Sequence, residues 1–492
     1  MYRLVLYYLI GLWFAAIGLS HFGFLPYDPP AVIASGFFII GVCLLLNEIF
    51  ARIWRVPTNV ESVYITALIL TLIITPLYTF QAGVFIETAL WASVFAIASK
   101  YILVIKKKHI FNPAALGVVA TGLLLGQPAS WWVGTATMAP FVLLGGILMI
   151  RKIQRADLFW SFTLTALVLT AVTSIGANLG MVLSRTILEV PLLFFAFVML
   201  TEPLTTPPTR PKRIAYGALV GIMFAPATNI AGFYFSPELA LILGNVFSYI
   251  VSPKEKLVLK LKEKIQTAPD MYDFVFAGGG GMRFRPGQYM EWTLGHERPD
   301  SRGNRRYFTL ASSPTERDLR LGIRFYDRPS SFKKALLTLR HGGTIVATGL
   351  AGDFTMPKEK TKKMVFIAGG IGITPFRSMI KYLTDNDEKR DIVLLYSNRS
   401  AKDIIYNDVF TAAEKRIGLK VVHTLTETAP KDWPGEKGRI SAAMISRQIP
   451  DWRTRTFYIS GTHAMVAATE KVLREMGVPG REIKTDFFPG FA

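Results

Sequence analysis

Three short segments in the second half of the chain carry residue types suited to flat rings and phosphates. Arg306-Tyr307-Phe308-Thr309-Leu310-Ala311-Ser312-Ser313-Pro314 sets an arginine beside two aromatics and a hydroxyl. The guanidinium is a fixed fork that pairs with phosphate, and Tyr307 or Phe308 can pack on a planar ring. Upstream lies Arg285-Pro286-Gly287-Gln288-Tyr289; downstream lies Ala368-Gly369-Gly370-Ile371-Gly372-Ile373-Thr374-Pro375. Gly369, Gly370 and Gly372 let backbone approach a dinucleotide, and Thr374-Pro375 suits the N-cap and N1 positions of a helix. Each segment alone is a weak signal. Their order and spacing carry the meaning.

The surrounding pattern supplies elements to position them. Tyr272–Phe276, Tyr289–Thr293 and Leu319–Tyr326 are short apolar runs divided by Gly and Pro, which predicts a small antiparallel barrel. Ser330-Ser331-Phe332-Lys333 opens a helical stretch to Leu339. From Lys363 the pattern becomes strand, turn, helix: Met364–Ala368, the glycine turn, then Pro375–Leu383. Strands Ile392–Tyr396, Val421–Leu425 and Thr456–Ser460 follow, and βαβ order predicts a parallel sheet. Arg399, just past a strand end, can reach a ribose or its 2′-phosphate, which leaves NAD and NADP both open.

In this order the segments resemble the ferredoxin–NADP reductase superfamily, from about Lys254 to Ala492. The resemblance implies that Arg306, Tyr307, Phe308 and Thr309 hold FAD, with Thr309 at the hydride-accepting N5 atom. It implies that Ser330 and Ser331 receive the flavin pyrophosphate at a helix N-terminus, where free N–H groups and positive potential favour anions. It places NAD(P)H on Gly369, Gly370, Gly372, Thr374 and Pro375. Ser460, Gly461 and Met465 then flank the nicotinamide, with Ser460 standing where the family has cysteine. Phe487, Phe488 and Phe491 either cover the flavin or belong to the core.

The first half has another character. Of 492 residues, 51% are hydrophobic, and the apolar runs crowd residues 1–253. A membrane span needs about 20 apolar residues. Leu4–Leu19, Ala31–Leu46, Val63–Tyr78, Phe85–Ile105, Pro113–Leu125, Ala136–Ile150, Leu158–Ala177, Ile187–Leu200, Ile214–Ala227 and Pro237–Val251 give roughly ten candidate helices. Leu4–Leu19 lacks a small-x-small cleavage site and reads as the first transmembrane helix, not a signal peptide. Net charge is +20, much of it in short loops: Arg52 and Arg55; Lys106, Lys107 and Lys108; Arg151, Lys152 and Arg155; Arg210, Lys212 and Arg213. That distribution favours membrane topology over nucleic acid and puts both termini, with the second half, in the cytoplasm. Cys43 is the sole cysteine, so no cysteine-ligated iron–sulfur centre is expected, and no metal site. His21 and His109 cannot supply the facing histidine pairs of a transmembrane haem reductase. Trp131-Trp132 reads as an interfacial anchor.

Two stretches of this half are Phe111-Asn112-Pro113-Ala114-Ala115-Leu116-Gly117 and Phe197-Val198-Met199-Leu200-Thr201-Glu202-Pro203-Leu204-Thr205. They resemble the D-type membrane protein of the Rnf electron-transport complex and the related B-type protein of the sodium-pumping NADH:quinone reductase. The resemblance implies two repeats of five helices and a flavin (FMN or riboflavin) near Asn112, Thr201, Glu202 and Thr205. Glu202 stands where that family has aspartate. Thr135-Ala136-Thr137 keeps only the end of the family's flavin-attachment loop, so covalent flavin is not expected.

The fold expected is therefore a polytopic α-helical membrane domain fused to a soluble reductase module. Residues 1–253 form a transmembrane electron-transfer domain, 254–358 an FAD-binding β-barrel and 359–492 an NAD(P)-binding α/β domain. The expected activity passes electrons from cytoplasmic NAD(P)H through FAD to a membrane-domain flavin. The acceptor beyond, at or across the cell membrane, is a quinone or an extracytoplasmic flavoprotein. The alternatives are an NAD(P)H:quinone reductase with no second flavin, or a redox-regulated ion transporter.

Overall fold

A computed structural model describes residues 2–54, 60–77, 82–105, 108–226, 228–230, 233–252, 256–297, 299–300 and 303–488. The chain divides into two compact units, Met1–Ser252 and Pro253–Ala492. Arg55, Lys106, Lys107 and Phe491 lie outside the described residues, as do the side chains of Phe487 and Phe488.

The first unit is helical. Its helices are α1 (Tyr2–His21), α2 (Pro29–Trp54), α3 (Val60–Ile73), α4 (Ala82–Ile102), α5 (Pro113–Leu125), α6 (Ala139–Ile153), α7 (Ala156–Thr173), α8 (Leu179–Leu188), α9 (Leu192–Phe194, running into a π-helical turn, Phe195–Met199), α10 (Arg210–Phe224) and α11 (Pro237–Val251). Two-residue ladders join β1 (Val104–Ile105) to β2 (Lys108–His109) and β3 (Asn229–Ile230) to β4 (Phe233–Tyr234).

The count of about ten spans is corrected. Among the described residues only α1, α2, α4 and α7 are long and apolar enough to cross a membrane. A fifth span exists if α8 and the α9–π segment, bent by 55°, count as one. The physical reason is length: α5 has 13 residues, about 20 Å of helix against a hydrocarbon core of about 30 Å. Pro113 starts α5, and the Asn112 side chain caps it by accepting from Ala115 N–H at 3.1 Å. The long helices turn Phe14, Phe37, Leu45 and Val168 outward, each more than half exposed, as lipid-facing residues would be. The tryptophan pair is not an exposed anchor. Both indoles are buried, Trp131 Nε1 donating to Glu238 (3.0 Å) and Trp132 Nε1 to the Thr71 carbonyl (3.0 Å).

The second unit holds two six-stranded sheets. One is antiparallel and curled, in the order β8-β7-β10-β5-β6-β9. Its strands are β5 (Lys256–Ala268), β6 (Met271–Ala277), β7 (Tyr289–Thr293), β8 (Arg305–Thr309), β9 (Leu319–Arg324) and β10 (Thr344–Ala351), with α12 (Ser331–Thr338) between the last two. Trp292, Phe274, Phe276 and Phe332 fill its core. The other sheet is parallel, in the order β14-β13-β12-β11-β15-β16. It is built from β11 (Met364–Gly369), α13 (Thr374–Asp385), β12 (Ile392–Ser400), α14 (Asn407–Ile417), β13 (Lys420–Thr428), β14 (Glu436–Lys437), α15 (Ala442–Gln448), β15 (Thr456–Thr462), α16 (His463–Glu475) and β16 (Ile483–Phe488). Helices cover both faces, which is why Met364–Ala368 is continuously apolar and wholly buried.

Candidate active site

Strand alternation sorts the first segment by face. On β8, Arg306 and Phe308 point to one side, Tyr307 and Thr309 to the other. Arg306 lies over the Phe332 ring, its guanidinium carbon 5.3 Å from the centroid. Phe332 sits in the first turn of α12, so the same packing brings Arg306 to that helix's N-terminus. Ser330 is the N-cap and accepts from Lys333 N–H at 3.3 Å. Ser331 N–H donates to Asp300 Oδ2 (2.9 Å), and Asp300 Oδ1 lies 3.5 Å from Arg306 Nη2. A carboxylate thus occupies the place where a helix N-terminus and an arginine converge, the arrangement an anionic ligand group requires. Ser331 Oγ accepts from Asp300 N–H (2.8 Å) and lies 3.0 Å from His296 Nε2. A cleft of ≈ 510 Å³ opens beside them, lined by His296, Glu297, Asp300, Pro329, Ser331 and Lys334 among others.

On the other face, Tyr307 is half exposed, its hydroxyl donating to Glu291 (2.7 Å) and its ring edge-on to Tyr289. Thr309 is buried, pairing with Tyr289 across the ladder. Phe308 packs its ring 5.9 Å from Phe332.

The glycine turn joins β11 to α13 through a 3₁₀ turn, Gly370–Ile373. Gly370 is left-handed (φ 52°), a conformation glycine adopts without strain. Gly372 serves packing: a Cβ there would lie 2.4 Å from the Ser460 carbonyl oxygen. The same closeness brings Gly369, Ser460, Gly461 and Met465 together at the ends of β11 and β15. Among the described residues the buried Ser460 hydroxyl has no hydrogen-bond partner, which leaves it capacity for a ligand. Thr374 is N1 of α13 and Pro375 N2, one position later than expected; Thr374 Oγ1 donates to Ile371 O (3.2 Å) instead of capping. Arg399 is exposed on β12 and lies 3.5 Å from Glu427.

In the helical unit, Glu202 follows the π-helical turn. Its carboxylate takes a hydrogen bond from Thr205 (3.2 Å to Oε2) and lies within electrostatic reach of Lys100. Asn112 N–H donates to Asn245 Oδ1 (2.8 Å), and Asn245 Nδ2 to the Tyr216 hydroxyl (3.0 Å). The structure therefore joins Glu202 to Thr205 directly, while Asn112 caps its own helix and bonds Asn245. Thr201 is separate in its bonding, donating to Phe197 O within its own helix (2.7 Å).

Composition and motif do not point to Asp300, His296, Glu316 or Arg377. Partial burial raises the Glu316 carboxyl, but bonds and charge from Arg377 outweigh this and hold it below the usual range. Burial pushes Asp273 on β6 up, against bonds from Tyr406 and Arg320.

Residues 366–471 match the family described as the oxidoreductase NAD-binding domain. The glycine betaine monooxygenase reductase subunit of Chromohalobacter salexigens is 27% identical over 199 residues, 39% of this chain and 53% of that protein. The F subunit of the Na(+)-translocating NADH-quinone reductase of Yersinia pestis is 30% identical over 200 residues, 38% of this chain and 49% of that one. NADH-cytochrome b5 reductase 1 of Mortierella alpina is 27% identical over 233 residues, 46% of this chain and 77% of that one. The chain spans about half the length of the first two. Within the second unit, the stretch similar to an oxidoreductase NAD-binding domain is the parallel sheet that carries the glycine turn and Ser460.

Proposed function

We propose that the chain is a membrane-bound, flavin-dependent NAD(P)H oxidoreductase. Bound FAD supplies a two-electron acceptor able to pass electrons onward to an acceptor at or across the membrane. Arg306 and the α12 N-terminus at Ser330 and Ser331 hold its pyrophosphate, Tyr307 packs on its ring from the Thr309 face, Phe308 backs Phe332 beneath Arg306, and Thr309 meets the N5 edge. The turn Gly369–Pro375 with Arg399 holds NAD(P)H, and Ser460, Gly461 and Met465 orient the nicotinamide. The observation that carries this is the Asp300 carboxylate, an anion seated between Arg306 and the Ser331 N–H. Similarity to NADH-dependent reductases supports it.

In the helical unit, the resemblance to the Rnf membrane protein and the buried polar cluster support a second, non-covalent flavin near Asn112, Thr201, Glu202 and Thr205. Domain limits follow the reading 1–253, 254–358 and 359–492, with both termini cytoplasmic. A specific observation favours the alternative, a quinone reductase with one flavin: the Asn112 side chain caps its own helix, Thr201 bonds the Phe197 carbonyl, and Thr205 bonds Glu202. Acid release of flavin from purified protein separates the two. Two flavins per chain support the second site; one leaves the quinone route; none sinks both.

A further inference from the structure

Within the second unit the two parts of the site stand on different sheets. Thr309 ends β8 of the antiparallel sheet, whereas the glycine turn and Ser460 belong to the parallel one. Hydride transfer needs reacting atoms about 3–3.5 Å apart, and a ~1 Å misplacement costs about 100-fold in rate. In that step the C4–H bond of the dihydronicotinamide breaks, and its hydrogen and electron pair go to flavin N5. The nicotinamide is oxidised and the flavin reduced. Whatever fixes one sheet on the other fixes this distance.

The segment leaving β8 is bolted to α13. Arg377 Nη1 donates to the Ala311 carbonyl (2.7 Å) and to Glu316 Oε2 (2.8 Å), while Nη2 donates to Glu316 Oε1 (3.0 Å). Glu316 Oε2 also accepts from Ser313 N–H (2.6 Å). Ser378, next on the helix, donates to the Ser312 carbonyl (2.6 Å). Arg377 is only 4% exposed, and its guanidinium carbon lies 5.2 Å from the Tyr406 ring centroid. The Tyr406 hydroxyl bonds Asp273 on β6, whose other oxygen accepts from Arg320 on β9 (2.7 Å). Tyr406 holds a left-handed backbone (φ 60°), a costly conformation for a bulky residue.

Strand β9 contributes by an omission. A Cβ at Gly322 would lie 2.5 Å from the Tyr406 hydroxyl and 2.7 Å from Thr374 Cγ2. Its absence lets Thr374, the first residue of α13, rest directly on a barrel strand. The nicotinamide-side turn and the flavin-side barrel therefore meet at one glycine.

We propose that Arg377, Glu316 and Gly322 are positioning residues for hydride transfer, setting the spacing between flavin at Thr309 and nicotinamide at the turn. This rests on the functional reading above. Replacing a buried ion pair with apolar packing is often neutral or stabilising, so fixed geometry is the stronger reason to bury Arg377 against the partly exposed Glu316. Arg377 and Glu316 bond each other and backbone, so they act through the segment they hold.

The test uses full-length protein in detergent. Arg377→Lys keeps charge but loses the fork, Glu316→Gln keeps shape, and Gly322→Ala drives a wedge between sheets. On anaerobic mixing with NAD(P)H, flavin reduction per bound flavin should slow about 10- to 100-fold in Arg377→Lys and Gly322→Ala. Flavin content should match wild type. The long-wavelength charge-transfer band of nicotinamide on flavin should weaken, and amide exchange across Ala311–Glu316 should quicken in Glu316→Gln. Variants with a lower melting temperature but unchanged reduction rate and band would overturn the proposal. A wild type without flavin, or with flavin indifferent to NAD(P)H, would overturn the functional reading and this inference together.

Discussion

The two units bury polar groups in different ways. In the helical unit, Arg213 and Asp157 form a close pair (2.7 Å), each side chain 9% exposed. In the same unit, Glu202 accepts from the Thr205 hydroxyl, and the Lys100 ammonium donates to the Ser62 carbonyl instead. In the reductase unit, Arg377, Glu316, Asp273, Arg320 and Tyr406 form one chain of contacts across a seam between sheets. One arrangement locks a helix pair. The other joins two sheets which, on the function proposed above, carry the flavin and the nicotinamide.

Asp157→Ala leaves Arg213 buried without its carboxylate, and should destabilise the helical unit by about 3–5 kcal/mol. Flavin content and NAD(P)H reactivity should persist, as read by absorbance beside a thermal melt of the helical signal. Loss of flavin reactivity with the helices intact would contradict separate roles. Arg306→Ala with Thr309→Ala removes a charge-assisted contact and should weaken flavin binding by about 1.5–3 kcal/mol, measured by equilibrium dialysis. Gly372→Ala forces a methyl against the Ser460 carbonyl and should cost about 1–3 kcal/mol of stability by denaturant melt. A neutral result there would mean the turn has room the structure denies it.

The smallest expected effect concerns acid. Glu316 is held below its ordinary value of 4.5, so the stability it contributes is present above that pH. It is lost as pH falls through the lower folded value. A melt series on Glu316→Gln should therefore show a flatter acid limb than wild type; parallel limbs would remove Glu316 from the account.

Much of the reductase unit is legible in sequence because its signals are local. Glycine turns, period-two strands and a serine-led helix each announce themselves over a few residues. The motif assigns Thr374 to the N-cap, but the 3₁₀ turn Gly370–Ile373 runs straight into α13, so Ile373 takes the cap position and Thr374 is already helical. Glu316 and Arg377 are invisible since nothing local marks them; their meaning lies in contact across 61 positions of sequence. In the helical unit, apolar runs reveal helices but not which are long enough to span. Pro113–Leu125 is bounded in the sequence as it is in the structure but is too short to span, and the bend between α8 and α9 falls inside the run read as Ile187–Leu200. The tryptophans mislead for a related reason: an indole looks amphipathic, yet Glu238 and the Thr71 carbonyl satisfy both N–H groups inside.

The central claim is that the second unit takes electrons from NAD(P)H onto a flavin held at Arg306–Thr309. Anaerobic mixing of purified full-length protein with NADH, and separately with NADPH, tests it most directly through the flavin's visible absorbance. The account predicts a yellow protein whose non-covalent flavin bleaches with at least one of the two nucleotides, and far more slowly in the Arg306→Ala, Thr309→Ala variant once its flavin is restored. A colourless protein, or a flavin that stays oxidised in excess of both nucleotides, would contradict it.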